Sequence, residues 1–121
     1  MAGVSKGAAG EVLAARFLRD NGYEVISANY RSRFGEIDII AGDDQYIMFV
    51  EVKSRLENSL FLPREAVTAE KQKRIMKTAF LYLRQYPDTR QMRFDVIEVV
   101  MAKYHPMKAV EIRHIENAYG G

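Results

Sequence analysis

Residues 35–53 place acids and a lysine on two strands that are otherwise apolar. The order is Gly35-Glu36-Ile37-Asp38-Ile39-Ile40-Ala41, then Gly42-Asp43-Asp44-Gln45, then Tyr46-Ile47-Met48-Phe49-Val50-Glu51-Val52-Lys53. A glycine and two aspartates between β-rich runs predict a hairpin. Side chains alternate faces along a strand. Glu36, Asp38 and Ile40 therefore share one face, as do Phe49, Glu51 and Lys53. Charge inside a sheet is costly unless it is paired or bound to a metal. A chain with this segment must fold so that partners reach those carboxylates.

The remaining pattern supplies a frame for the hairpin. Residues 6–20 predict a helix with Ala8, Val12, Ala15, Leu18 and Phe17 on its apolar stripe. Asn21-Gly22 stops it, because glycine tolerates the left-handed conformation that follows many helices. A strand over 23–30 precedes the hairpin, and 55–62 reads as a polar connection. Thr68 is a good N-cap for a second helix reaching Tyr86, with Glu70 in its first turn and Pro87-Asp88 as its stop. Its predicted apolar face is Ile75, Met76, Ala79, Phe80 and Leu83. Strands over 92–101 and 108–115 follow, with a turn at Tyr104-His105-Pro106. Strands three and four flank a helix, so they suit a parallel crossover. The expected fold is α/β: a mixed central sheet of about five strands with a helix on each face.

A chain of 121 residues fits one domain spanning 1–121, and 48% hydrophobic content supports a real core. Eighteen basic and sixteen acidic residues leave a net charge of +2. Any nucleic-acid surface must then come from how charges are arranged. The absence of cysteine excludes disulfides, cysteine-zinc sites and a thiol nucleophile. It is compatible with a cytoplasmic location, which is the expectation here. The first ten residues lack the pattern of a signal peptide, and no apolar run has the length to span a bilayer. No phosphate loop, dinucleotide fingerprint or nucleophile elbow is present.

The chemistry that suits these residues is phosphodiester hydrolysis. It needs an attacking water and a neutralised phosphate, and Mg²⁺ or Mn²⁺ serves both through a few carboxylates and its own waters. Asp38 and Glu51 are candidate metal ligands, and the carbonyl of Val52 is a third. Lys53 is two residues from Glu51 and so reaches the same face, where it can orient the water or stabilise developing negative charge. Glu11 is read on the first helix's inward stripe as an additional metal or water ligand, and Gln72 on the second helix as a phosphate or water contact. Arg31, Arg33, Arg55, Lys71, Lys73, Arg74 and Lys77 are candidate nucleic-acid contacts, with Arg64 nearby. Each has a plainer reading. The acids can be structural ion pairs, Glu11 a first-turn charge, Gln72 an amide satisfied by backbone, and the lysines a solvated helix face. Glu36 is equally a rim charge. Asp95 is read as the partner of an arginine, and His105 and His114 as surface or strand residues.

The arrangement of an acid, a hairpin and Glu-x-Lys is similar to the core of the PD-(D/E)xK nucleases. The chain further resembles the YraN-like family of small, uncharacterised bacterial proteins, over about residues 10–100. That resemblance rests on Gly10-Glu11, Asn29-Tyr30-Arg31, Gly35-Glu36-Ile37-Asp38 and Phe49-Val50-Glu51-Val52-Lys53-Ser54-Arg55. It rests also on Glu65-Ala66-Val67, Lys71-Gln72 and Arg93-Phe94-Asp95-Val96. Leu62-Pro63 departs from the family, which usually has a glycine before the proline. The family looks like a restriction-endonuclease-like fold, similar to the archaeal Holliday-junction resolvases. The resemblance implies Asp38, Glu51 and Lys53 as the core site, joined by Glu11 and Gln72.

The expected function is a Mg²⁺- or Mn²⁺-dependent endonuclease acting on duplex, branched or damaged DNA, without a small-molecule cofactor or a membrane partner. A homodimer is expected by analogy, since resolvases cut two strands symmetrically. Tyr46 to Phe49 or the C-terminal strand could supply its apolar surface. The rival reading is a non-catalytic module that binds nucleic acid or recruits a partner without metal. A nuclease acting on RNA is a third reading, since no 2′-hydroxyl-reading signature separates the two substrates.

Overall fold

The computed structural model describes residues 6–58 and 67–120. The elements are α1 (Lys6–Asp20), β1 (Glu24–Arg31), β2 (Glu36–Gly42), β3 (Tyr46–Leu56), α2 (Ala69–Gln85), β4 (Gln91–Ala102) and β5 (His105–Tyr119). The strands form one five-stranded mixed sheet in the order β1-β2-β3-β4-β5. The β3–β4 pair is parallel and the other pairs are antiparallel. This is the α/β architecture the sequence predicts, with α2 as the crossover between the parallel strands.

The sheet separates two apolar layers. Ala9, Leu13, Ala14 and Leu18 of α1 pack on Ile39, Met48, Val50, Ile97 and Val99. Ile75, Ala79 and Tyr82 of α2 pack on Ile40, Ile47, Phe49, Phe94 and Val96. Central strands covered on both faces read as near-continuous apolar runs, which explains β4. Its residues from Arg93 to Ala102 are all buried. The helix and hairpin ends follow local chemistry. Thr68 Oγ1 accepts from the Lys71 backbone N–H at 3.2 Å, and the Tyr86 N–H bonds the Tyr82 carbonyl. Asp43 Oδ1 accepts from the N–H groups of Gln45 and Tyr46 at 2.9 and 2.8 Å, closing the β2–β3 turn.

Four expectations need correction. The inward stripe of α1 is Ala9, Leu13, Ala14 and Leu18, not the one through Ala8 and Val12, and Val12 is 46% exposed. On α2 Phe80 points outward at 56% exposure, while Thr78 and Tyr82 turn inward. Thr78 is tolerated there because its hydroxyl bonds the Arg74 carbonyl at 2.9 Å and lies 2.8 Å from Ser32 Oγ. Strand β3 continues to Leu56 because its parallel ladder with β4 runs to Leu56↔Met101, so Arg55 is strand rather than connection. Strand β5 begins at His105, which pairs with Ala102, leaving Lys103 and Tyr104 as the turn. The sheet order also removes one proposed dimer surface. Strand β3 is central, and Ile47, Met48 and Phe49 are buried within the fold. Arg64, Leu62-Pro63 and Glu65-Ala66 lie outside the described residues.

Candidate metal and nucleic-acid site

Asp38 and Glu51 meet where the β2–β3 ladder ends. The last paired residues are Ile39↔Val50, one step inside the two acids. Beyond that step the Val52 N–H donates to Asp38 Oδ2 at 2.8 Å, so a side chain replaces the missing ladder bond. Asp38 is thereby fixed against β3. Burial, then the neighbouring Glu51 charge, push its carboxyl up to about 7 against the opposing Val52 hydrogen bond. Two carboxylates held this close in a partly dry site repel unless a cation stands between them.

Glu51 is 5% exposed. Its Oε1 lies 3.9 Å from Lys53 Nζ and 2.5 Å from Lys71 Nζ. The sequence marks Lys71 as a candidate nucleic-acid contact, and in the structure its ammonium lies on the buried acid. The cavity beside this pair has a volume of about 310 Å³ and is lined by Gly35, Glu36, Asp38, Glu51, Lys71, Arg74 and Ile75.

Glu11 reaches the same place from α1. One carboxylate oxygen from each of Glu11, Glu36 and Asp38 lies within 4.8 Å of the others. Burial raises the Glu11 carboxyl above its ordinary value, the Asn29 side chain lowers it, and the charges of Glu36 and Glu51 raise it further. With its amide nitrogen turned toward the acids, Asn29 donates to Glu11 Oε1 at 2.9 Å and Glu36 Oε1 at 2.8 Å. Gly10 lets α1 approach this closely. A Cβ there would stand 1.7 Å from Ser54 Oγ. Hydrophobic periodicity carries no signal for such a contact.

Other predicted residues are dispersed around this centre. The Gln72 amide nitrogen donates to the Val67 carbonyl at 2.8 Å, which anchors the start of α2. Arg31 pairs with Glu36 at 2.9 Å, and Arg74 pairs with Glu70 one helical turn away. Arg33 and Lys77 both sit over the same aromatic side chain, 4.9 and 5.2 Å from the Phe34 ring centre. The Ser32–Thr78 contact holds this arginine-bearing loop against α2. Lys73 is exposed on the same helix. Arg55 is half-buried, with Nη1 3.4 Å from the Leu56 carbonyl.

Asp95 lies elsewhere, in a structural cluster. It is fully buried and takes Arg93 Nε and Nη2, each at 2.9 Å. His114 Nε2 approaches at 2.7 Å and the Asn117 N–H donates at 3.0 Å. Burial raises its carboxyl, but these hydrogen bonds outweigh it and the net shift is downward. The sequence predicts the arginine partner and a strand through His114, but Asn117 lies beyond the predicted end of that strand at residue 115.

The family described as "Uncharacterised protein family UPF0102" matches residues 10–99. A UPF0102 protein of Nocardia farcinica is 49% identical over 100 residues, covering 82% of this chain and 79% of its own. One of Lachnoclostridium phytofermentans is 45% identical over 111 residues, covering 90% and 87%. One of Alkaliphilus oremlandii is 44% identical over 116 residues, covering 93% and 96%. The span matched by the family contains Glu11, Asp38, Glu51, Lys53 and Lys71. The chain belongs to the UPF0102 family.

Proposed function

We propose that this protein is a Mg²⁺- or Mn²⁺-dependent endonuclease that hydrolyses DNA phosphodiester bonds, on a restriction-endonuclease-like fold of the Holliday-junction-resolvase type. The observation that carries the reading is that Asp38 and Glu51 lie beside each other just past the end of the β2–β3 ladder, with Lys53 on the same strand as Glu51. The donor set fits a hard divalent cation. Glu11, Glu36 and Asp38 offer clustered carboxylate oxygens, Glu51 adds a further carboxylate beside Asp38, and no sulfur or imidazole is among them. Asp38 and Glu51 would hold the metal together with the Val52 main chain.

Bound there, the metal supplies a more acidic water and a counter-charge for the phosphate. The protein's own residues do the positioning. Val52 N–H fixes the Asp38 rotamer. Asn29 keeps Glu11 and Glu36 turned toward the centre. Lys53 Nζ, part-exposed beside Glu51, orients the water or stabilises negative charge as it develops. Arg33, Lys73 and Lys77 form the nearby cationic surface for neighbouring phosphates. Among the described residues no helix is long and apolar enough to cross a membrane.

Calorimetric titration with MgCl2 and MnCl2 tests the metal site. Saturable binding to wild type that is lost in both Asp38→Ala and Glu51→Ala is expected. Equal binding by all three proteins would refute the assignment. The Lys71–Glu51 contact also suits a second reading, a module that binds nucleic acid with its acids structurally neutralised. Metal-independent DNA binding without cleavage of any substrate would favour that reading.

A further inference from the structure

Lys71 occupies an unusual position for a helix lysine. Thr68 caps α2, so Lys71 stands in the first turn, where exposed backbone N–H groups disfavour positive charge. It tolerates that position by placing Nζ on Glu51 Oε1 at 2.5 Å. Glu51 is almost fully buried, whereas the Lys71 side chain remains 43% exposed. The acid is fixed by its strand, and the lysine can leave toward solvent. Gln72, the next residue, is tied to the Val67 carbonyl, so movement of Lys71 does not require the helix start to move. The cavity that Lys71 borders also contains Asp38 and Glu36.

From this geometry we propose that Lys71 holds the place of the divalent cation on Glu51, and that the arriving cation displaces it onto a phosphate of the nucleic acid. This rests on the metal-site reading above. A buried carboxylate needs positive charge beside it, and Lys71 at 2.5 Å is a closer partner of Glu51 than Lys53 at 3.9 Å. A lysine serves without metal. Glu51 together with Asp38, which the lysine does not bond among the described residues, would hold a divalent ion in its place. The released ammonium stands at the rim beside Arg74, where a phosphate of a bound strand can accept it. Metal and nucleic acid thereby become coupled ligands: metal frees a phosphate contact, and a phosphate that holds Lys71 favours metal.

The test is titration of MnCl2 alone into wild type, Lys71→Met and Lys108→Met. The displaced contact is a charged hydrogen bond, so Lys71→Met should bind Mn²⁺ roughly ten- to a hundredfold more tightly than wild type. Lys108→Met removes the same charge from an exposed position on β5 and should bind as wild type does. Lys71→Gln keeps a donor near Glu51 without the charge and serves if Lys71→Met does not fold. Equal or weaker Mn²⁺ binding by a folded Lys71 variant overturns the inference while leaving the metal site standing. Mn²⁺ binding by none of the proteins removes the metal site and the inference together. Duplex DNA binding, followed against salt, tests the second half. With chelator, wild type and Lys71→Met should show equal salt slopes. With CaCl2, wild type should be steeper by about one unit, the signature of one extra phosphate contact. Equal slopes in both conditions would overturn the transfer to phosphate.

Discussion

Replacing Asp38 with asparagine should stabilise the metal-free protein at neutral and alkaline pH. The Asp38 carboxyl is pushed from 3.8 up to about 7 in the folded chain, first by burial and then by the Glu51 charge. Below the unfolded value both states hold the proton, and Asp38 contributes nothing to pH dependence. Between about pH 4 and pH 7 the folded state binds more protons than the unfolded state, so stability falls as pH rises. Above pH 7 the full penalty applies. A gap of roughly three units corresponds to a ceiling of about 4 kcal/mol. Asp38 borders an open cavity, and solvent screening there reduces the recoverable part to about 1–2 kcal/mol. Asparagine keeps an oxygen for the Val52 N–H now donated at 2.8 Å, so the local geometry survives. For a domain of this size that corresponds to a Tm gain of roughly 5 °C. The assay is thermal melting by circular dichroism from pH 4 to 8 in chelator, with wild type alongside. The gain should be largest at pH 8 and disappear toward pH 4. A variant less stable than wild type at pH 8, or a gain independent of pH, would refute the reasoning. Added MnCl2 should reverse the order, because only wild type gains binding energy from it.

Gly10→Ala should cost about 1–3 kcal/mol in urea unfolding, because its Cβ would meet Ser54 Oγ at 1.7 Å. Adding Ser54→Gly removes both close contacts, at 1.7 and 2.9 Å, and should restore most of the loss. Asp95→Asn should destabilise by about 3–5 kcal/mol, since it leaves the Arg93 guanidinium buried beside an uncharged amide. A chemical denaturation midpoint close to wild type would show that the cluster is not structural. Lys73→Ala and Lys77→Ala together should flatten the salt dependence of DNA binding by about two units, and an unchanged slope would place the phosphates elsewhere.

The fold was legible because short-range chemistry and packing agreed at most points. Thr68, Asn21-Gly22 and Asp43 each bond or bend the backbone where their side chains suggest. The apolar runs of β2, β3 and β4 match their burial on both faces. The α1 stripe was harder. Alanines at positions 8, 9, 14 and 15 give nearly equal contrast on adjoining faces, so periodicity alone could not orient the helix. Gly10 suits the observed face, because a Cβ there would stand 1.7 Å from Ser54 Oγ, a closeness that only the folded chain reveals. The end of β5 beyond residue 115 was missed because Glu116 and Asn117 look like loop residues. Asp95, on the neighbouring strand, bonds His114 through its ring and Asn117 through its backbone.

The acidic centre was partly legible for the same reason. Alternation placed Asp38 beside the Glu51–Lys53 face, and the resemblance pointed to Glu11. Alternation could not show that Lys71 returns to Glu51, because that contact spans twenty residues and depends on where α2 docks. Nor could it show that Asn29, at a positive φ of 55°, turns its amide toward Glu11 and Glu36. Asparagine adopts that backbone region more readily than most residues, which gives its position a physical reason.

DNA cleavage tests the central claim most directly. Linear, nicked and four-way-junction DNA should be incubated with folded wild type, Asp38→Ala and Lys53→Met, each with MgCl2, MnCl2 or chelator. The account predicts cleavage of at least one substrate by wild type only with metal. It predicts loss of that cleavage in Asp38→Ala and a large reduction in Lys53→Met. Cleavage by Asp38→Ala at the wild-type rate, or by wild type in chelator, would contradict it.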